Sequence, residues 1–154
     1  MKKFLIINGP NLNMLGIREP DIYGTLTLEQ MNSNILEATA DLPVSLEFFQ
    51  TNHEGSIIDE LQAAYFADMD GIVLNPAAFT HYSYAIRDAI AATDMPVVEV
   101  HLSDISERES FRHVSVTEDV CLAQIKGKGW QGYVEAVKLL NEHLDQQRRQ
   151  GSRN

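Results

Sequence analysis

GIVLNPAAFTHYSYAIRDAIAATDMPVVEVHL, residues 71–102, contains the pattern that the rest of the chain repeats. It opens on a short apolar run, GIVLNP (71–76), and closes on another, PVVEVHL (96–102). Between them Ala85, Ile86, Ala89 and Ile90 keep the three-and-four spacing of one helix face. A helix placed between two strands makes a crossover, and a crossover joins parallel strands.

The same alternation extends in both directions. KFLIIN (3–8), VSLEFFQ (44–50) and VCLAQIKG (120–127) read as three more strands. Leu28, Met31, Ile35, Ala38 and Leu42 mark a helix, with Thr27 as N-cap and Gln30 three residues on. Ile57, Leu61, Ala64 and Tyr65 mark a second, capped by Ser56, and Tyr133, Val137, Leu140 and Leu144 mark the last. Five strands alternating with helices predict an α/β fold: a flavodoxin-like, doubly wound, five-stranded parallel sheet with helices on both faces. The 154 residues suit a single domain, expected over 1–146, with 147–154 as a polar tail that frays.

The composition is that of a globular protein, with 44% hydrophobic and 22% charged residues. Twelve Lys and Arg against 22 Asp and Glu give a net charge of −10, which argues against nucleic-acid and anionic-membrane partners. Three of the cations (Arg148, Arg149, Arg153) lie in the tail, and between Glu19 and Asp104 the only cation is Arg87. The internal arginines Arg18, Arg87, Arg108 and Arg112 are therefore worth following. Cys121 is the only cysteine, so an internal disulfide is impossible, and its apolar setting reads as a small buried residue. The apolar run FLII is shorter than a secretory segment requires, so a soluble, cytoplasmic protein is expected.

In a doubly wound sheet, ligands bind beyond the carboxyl ends of the strands. The loops there are NGPNLNMLGIREPDIYG (8–24), TNHEGS (51–56), NPAAFTHYS (75–83) and HLSDISERESFRH (101–113). They hold His53, His81, His101 and His113, together with Arg18, Arg108 and Arg112. Glu99 and His101 are two apart on a strand and so share a face, where the carboxylate can fix the ring's tautomer and favour its protonated form. That pair makes a general acid or, read plainly, a strand-end ion pair. Residues 16–24 form a glycine-bounded loop resembling a lid, with Arg18 five residues before Tyr23. A phenol ionises near pH 10, and a close cation in a poorly hydrated site lowers that value. The bland alternative is a loop anchor and a solvated charge.

Other motifs point away from familiar chemistries. Gly127-Lys-Gly129-Trp-Gln-Gly132 matches G-x-G-x-x-G, but it follows the last strand, where a dinucleotide site is not built. Close packing of helix on sheet is the better reading. Asn8-Gly-Pro-Asn11 lacks the acidic residues of a phospho-acceptor site. No metal-ligand spacing appears, so no metal is expected, and no lysine is placed inside an apolar strand as a Schiff-base mechanism would want. A flavin- or nucleotide-binding module without catalysis remains the alternative on this fold.

NGPNLNMLGIREPDIYG, QTNHEGSIIDELQ, LNPAAFTHYSYAIRDAI, PVVEVHLSDISERESFRHVS and GKGWQGY, in this order and spacing, resemble the type II 3-dehydroquinate dehydratases. The resemblance implies a cofactor-free, flavodoxin-like homododecamer, a tetramer of trimers. It implies dehydration of 3-dehydroquinate to 3-dehydroshikimate in the shikimate pathway. Position by position, it implies Tyr23 as base, with Arg18 favouring its phenolate. Asn11 would help hold the enolate through a water, and His101, oriented by Glu99, would protonate the leaving hydroxyl. The substrate carboxylate would rest on Asn75 and the amides at Leu102 and Ser103. His81 and Arg112 would bind ring hydroxyls, and Asp88 would reach a neighbouring subunit's site. The stretch SVTEDVCLAQIK receives no assignment.

Overall fold

The computed structural model describes residues 1–17, Asp21 and 24–151. Five strands, β1 (Lys2–Asn8), β2 (Val44–Gln50), β3 (Gly71–Asn75), β4 (Val97–His101) and β5 (Ala123–Lys126), form one sheet in the order β2-β1-β3-β4-β5. Every pairing is parallel. The helices are α1 (Leu28–Ala38), α2 (Glu54–Phe66), α3 (Tyr84–Thr93) and α4 (Gln131–Gly151). This is the expected doubly wound order.

Side-chain alternation along the strands explains the layers. Phe4, Ile6, Val73, Val98 and Val100 pack with Met31 and Ile35 of α1 and with Tyr133, Val137 and Leu140 of α4. Leu5, Ile7, Ile72, Leu74 and Val97 point the other way, onto Ile57 and Leu61 of α2 and Ile86 and Ile90 of α3. The central strands are apolar on both faces because both faces are covered.

Local chemistry sets the boundaries. Thr27 and Gln30 close a full capping box at α1. Ser83 caps α3 by accepting from the Ile86 amide at 3.1 Å. Ser56 does not cap α2. That helix starts earlier, at Glu54, with His53 as N-cap, and Glu54 places its charge at the positive end of the helix. β3 stops before Pro76 and β4 starts after Pro96, since proline cannot donate to the ladder. β5 is shorter than the expected 120–127, because Glu118–Val120 turns as a 3-10 helix. Arg87 ties that turn down through the Val116 carbonyl (2.9 Å) and the Asp119 carboxylate.

The last helix, α4, runs to Gly151. One expectation changes. Lys2 does lie inside a strand and is only 5% exposed. Its ammonium meets Asp145 at 2.8 Å and Asn141 at 2.7 Å, so it pins α4 to β1.

The strand order reverses between β1 and β3, so their following loops part and open a crevice. Gly9 stands there with its amide bonded to the Asn75 carbonyl at 2.8 Å. A Cβ on Gly9 would lie 2.7 Å from the Pro76 carbonyl oxygen, which belongs to backbone and cannot swing aside. Gly9→Ala should therefore lower unfolding free energy by about 1–3 kcal/mol in urea titrations. An unchanged midpoint would show that the two loops are not in register-dependent contact.

Candidate active site

The crevice at the switch point is a cleft open to solvent. Among the described residues, three loops line it. Pro10, Asn11 and Leu12 follow β1. Asn75, at the end of β3, is followed by Ala77, Ala78 and His81. His101, at the end of β4, is followed by Leu102, Ser103, Ile105, Arg108 and Arg112. Two of the lining residues hold left-handed backbone, Asn11 at φ 70° and Ala77 at φ 53°. That conformation is costly for a residue with a Cβ and persists only where the surroundings hold it.

Those surroundings are polar. The Asn11 amide donates to Asn52 Oδ1 at 3.0 Å. Gln50 Nε2 bridges that same oxygen (3.1 Å) to the Gly9 carbonyl (3.2 Å). The Asn11 side chain is left exposed at the cleft. The Ala77 amide donates to Asn75 Oδ1 at 3.0 Å, and Asn75 Nδ2 donates to the Tyr133 hydroxyl at 2.9 Å.

At the end of β4, His101 Nε2 lies 2.9 Å from Glu99 Oε2, as the two-residue spacing predicts. Glu99 has no exposure to water. Burial raises the pKa of a carboxylic acid, but hydrogen bonds from His101, Gln124 and Thr117 outweigh it and hold the Glu99 carboxyl below its ordinary range. Gln124 Nε2 donates at 2.6 Å, Ser115 Oγ at 3.0 Å, and Thr117 Oγ1 donates as well. An ionised Glu99 takes the Nε2 hydrogen, so Nδ1 is the His101 nitrogen available to a ligand.

His81 Nδ1 faces the Val114 carbonyl at 2.7 Å and must carry a hydrogen there. Burial pushes its pKa down, the carbonyl works against this, and His101 and Arg112 push it further down. Neutral His81 therefore offers Nε2 as an acceptor. Arg112 bonds Glu109 through Nε and lies over the Phe111 ring, 4.7 Å from its centre.

Of the residues expected in the site, the fold brings Asn11, Asn75, His81, His101, Leu102, Ser103 and Arg112 into one cleft, with Glu99 directly behind His101. Asp88 is exposed on α3 and is not part of this lining. Arg18 and Tyr23 lie outside the described residues. His53 is exposed at the start of α2, and His113 bonds the Arg108 carbonyl at 2.8 Å, so neither enters the cleft. Among the described residues, no cluster of His, Cys, Asp and Glu could hold a metal ion. Burial, with Glu99, Asp119 and Glu118 nearby, pushes the Cys121 thiol pKa up, which suits an inert packing residue.

Sequence reasoning missed Ser115, Thr117 and Gln124. They lie in the stretch left without assignment. Gln124 pairs with Glu99 across the β4–β5 ladder, and that register was the one signal that could have found it.

Fold and cleft define an α/β protein of doubly wound, flavodoxin-like architecture, with a carboxylate–imidazole pair at the switch point. The family model described as dehydroquinase class II matches residues 2–141. Relatives named 3-dehydroquinate dehydratase include one from Caldicellulosiruptor bescii, 52% identical over 94% of this chain and the whole of that one. Another, from Bacillus cytotoxicus, is 55% identical over 94% and 98% of the two chains. The crystal structure of a type II dehydroquinase from Butyrivibrio crossotus superposes with TM-score 0.89 at 54% identity, covering 91% of this chain and 97% of that one. The chain belongs to the class II dehydroquinase family.

The depressed Glu99 pKa has a thermodynamic consequence. Such a carboxylate stabilises the fold fully above its unfolded value, near 4.5, and loses that contribution as pH falls through the folded value. Wild type should exceed Glu99→Gln in Tm near neutral pH, and the gap should close below pH 4.5. A gap independent of pH would mean that Glu99 is not held ionised.

Proposed function

We propose that this chain is a type II 3-dehydroquinate dehydratase, a hydro-lyase that eliminates water from 3-dehydroquinate by an anti route through an enolate. The observation that carries the residue assignments is the Glu99–His101 pair at the cleft, with Nε2 bound and Nδ1 free to act.

Elimination beside a ketone needs a base, a partner for the enolate charge and an acid for the leaving group. Tyr23, as a phenolate favoured by Arg18, takes the proton α to the ketone, and the C–H electrons pass into the enolate. Asn11 stabilises that charge through a water. The enolate then collapses to the conjugated enone as the β carbon–oxygen bond breaks. His101 delivers a proton from Nδ1 to the departing hydroxyl, which leaves as water. The ionised Glu99 stabilises the imidazolium before transfer and keeps the tautomer correct afterwards. The substrate carboxylate sits on Asn75 and the amides at Leu102 and Ser103. His81 Nε2 accepts from a ring hydroxyl, and Arg112 donates to another.

The assembly is a homododecamer of four trimers, in which Asp88 of one subunit reaches the site of its neighbour. Exposure of Asp88 on α3, away from its own cleft, supports that reading. The enzyme works in the cytoplasm, in the pathway to aromatic amino acids.

With 3-dehydroquinate as substrate, an ultraviolet band from the enone should grow with time. Tyr23→Phe should lower kcat by orders of magnitude with little change in binding, and near-wild-type turnover would remove Tyr23 as the base. Residues 1–147 carry 22 acids and 9 bases, so long-range attraction cannot gather a carboxylate substrate. Capture is local, and added salt, which screens that field, should not weaken kcat/KM much. A steep fall with ionic strength would point to long-range steering instead.

A further inference from the structure

The glycine-rich turn 127–132 opens α4 but binds nothing in the mechanism above. Its contacts nevertheless lead to the cleft. Gly129 holds φ +59° and donates its amide hydrogen to the Leu102 carbonyl at 3.0 Å. A trans peptide points its C=O and N–H in opposite directions. Tying the Leu102 oxygen to the turn therefore directs the Ser103 N–H away from it, and Ser103 lines the cleft. Gly127 supplies the left-handed backbone, φ +78°, that the turn needs where it lies against the same loop at Asp104.

Four residues beyond Gly129, Tyr133 is fully buried. Its hydroxyl donates to Asn8 Oδ1 at 2.6 Å and accepts from Asn75 Nδ2 at 2.9 Å. Burial pushes the phenol's pKa well up, so it keeps its hydrogen at any physiological pH. With that hydrogen given to Asn8, the phenol oxygen can only accept, and Asn75 must turn its NH2 rather than its oxygen toward Tyr133. Asn75 Oδ1 is held by the Ala77 amide. The amide flip is thus decided from both ends, and the second Nδ2 hydrogen remains as a donor where Asn75 lines the cleft.

We propose that the turn and first residues of α4, through Gly129 and Tyr133, position two of the three donors of the carboxylate subsite, the Ser103 amide and Asn75 Nδ2. The proposal rests on the dehydratase reading and names the subsite within it. Neither residue touches substrate. Both act through groups that do.

The test compares Tyr133→Phe with wild type. Two competitive inhibitors serve as probes: a cyclohexane analogue of 3-dehydroquinate that keeps the carboxylate, and the same ring with a neutral hydroxymethyl in its place. Tyr133→Phe should raise KM, weaken the carboxylate inhibitor by about tenfold, and leave the neutral inhibitor nearly unaffected. Equal weakening of both, or of neither, would overturn the proposal and leave Tyr133 a packing residue.

If the variant does not fold, 15N-labelled wild type answers the same question. The Ser103 amide and Asn75 side-chain signals should shift with the carboxylate probe and not with the neutral one, while the Gly129 amide stays protected from exchange. Exchange at Gly129 as fast as in an open loop would overturn the proposal. Wild type that does not dehydrate 3-dehydroquinate would overturn the parent reading and this one together. Active wild type with unselective probes would overturn this one alone.

Discussion

A carboxylate with no access to water lies at the carboxyl end of β4, and much of the molecule is arranged around it. A buried charge is tolerated only when its lone pairs are filled. Glu99 fills them with His101 from its own strand, Gln124 from the neighbouring strand, and Ser115 and Thr117 from the connecting loop. That loop would have little reason to stay folded by itself. Arg87, on α3, bonds the Val116 carbonyl and the Asp119 carboxylate, and the Val116 amide reaches the Thr80 carbonyl at 2.8 Å. The one cation between Glu19 and Asp104 therefore holds the residues that keep Glu99 ionised. An acidic chain has placed a scarce positive charge where it supports the acid–base pair at one remove.

The other half of the site depends on the point where the strand order reverses. Between β1 and β3 the loops diverge, and the backbone adopts left-handed conformations at Asn11 and Ala77. Each is offset by a side chain from a different element, Asn52 after β2 and Asn75 at the end of β3. Strain at the rim and satisfied polar networks beneath it go together. The loops are shaped by hydrogen bonds to rigid strands, which is how a cleft made of connecting segments can present groups at set positions.

Several of these features could be read in the sequence. The short apolar runs KFLIIN and its counterparts mark the strands, and Thr27 with Gln30 announces the start of α1. The Glu99–His101 contact follows from spacing along a single strand, with no tertiary information needed. Lys2 was misread because a charge at a strand end looks exposed, and its partners, Asp145 and Asn141, are almost the whole chain away. Ser56 was misread as a cap because local propensity names a good capping residue without saying whether the helix has already begun. The Gly-rich turn was legible only as close packing, which Gly132 fulfils by standing 3.3 Å from Ile125 at its ideal Cβ.

Local order, strand type, helix faces and the Glu99–His101 pair were determined by the sequence alone, because each depends on periodicities of two or 3.6 residues within one element. The cage of Ser115, Thr117 and Gln124, the exclusion of His53 and His113 from the cleft, and the link from Tyr133 to Asn75 were decided only by the tertiary structure. These contacts join residues between 16 and 58 positions apart or depend on how loops turn. Hydrogen-bond partners at such separations are chosen by strand register and by which layer a helix covers, and no local pattern encodes that choice.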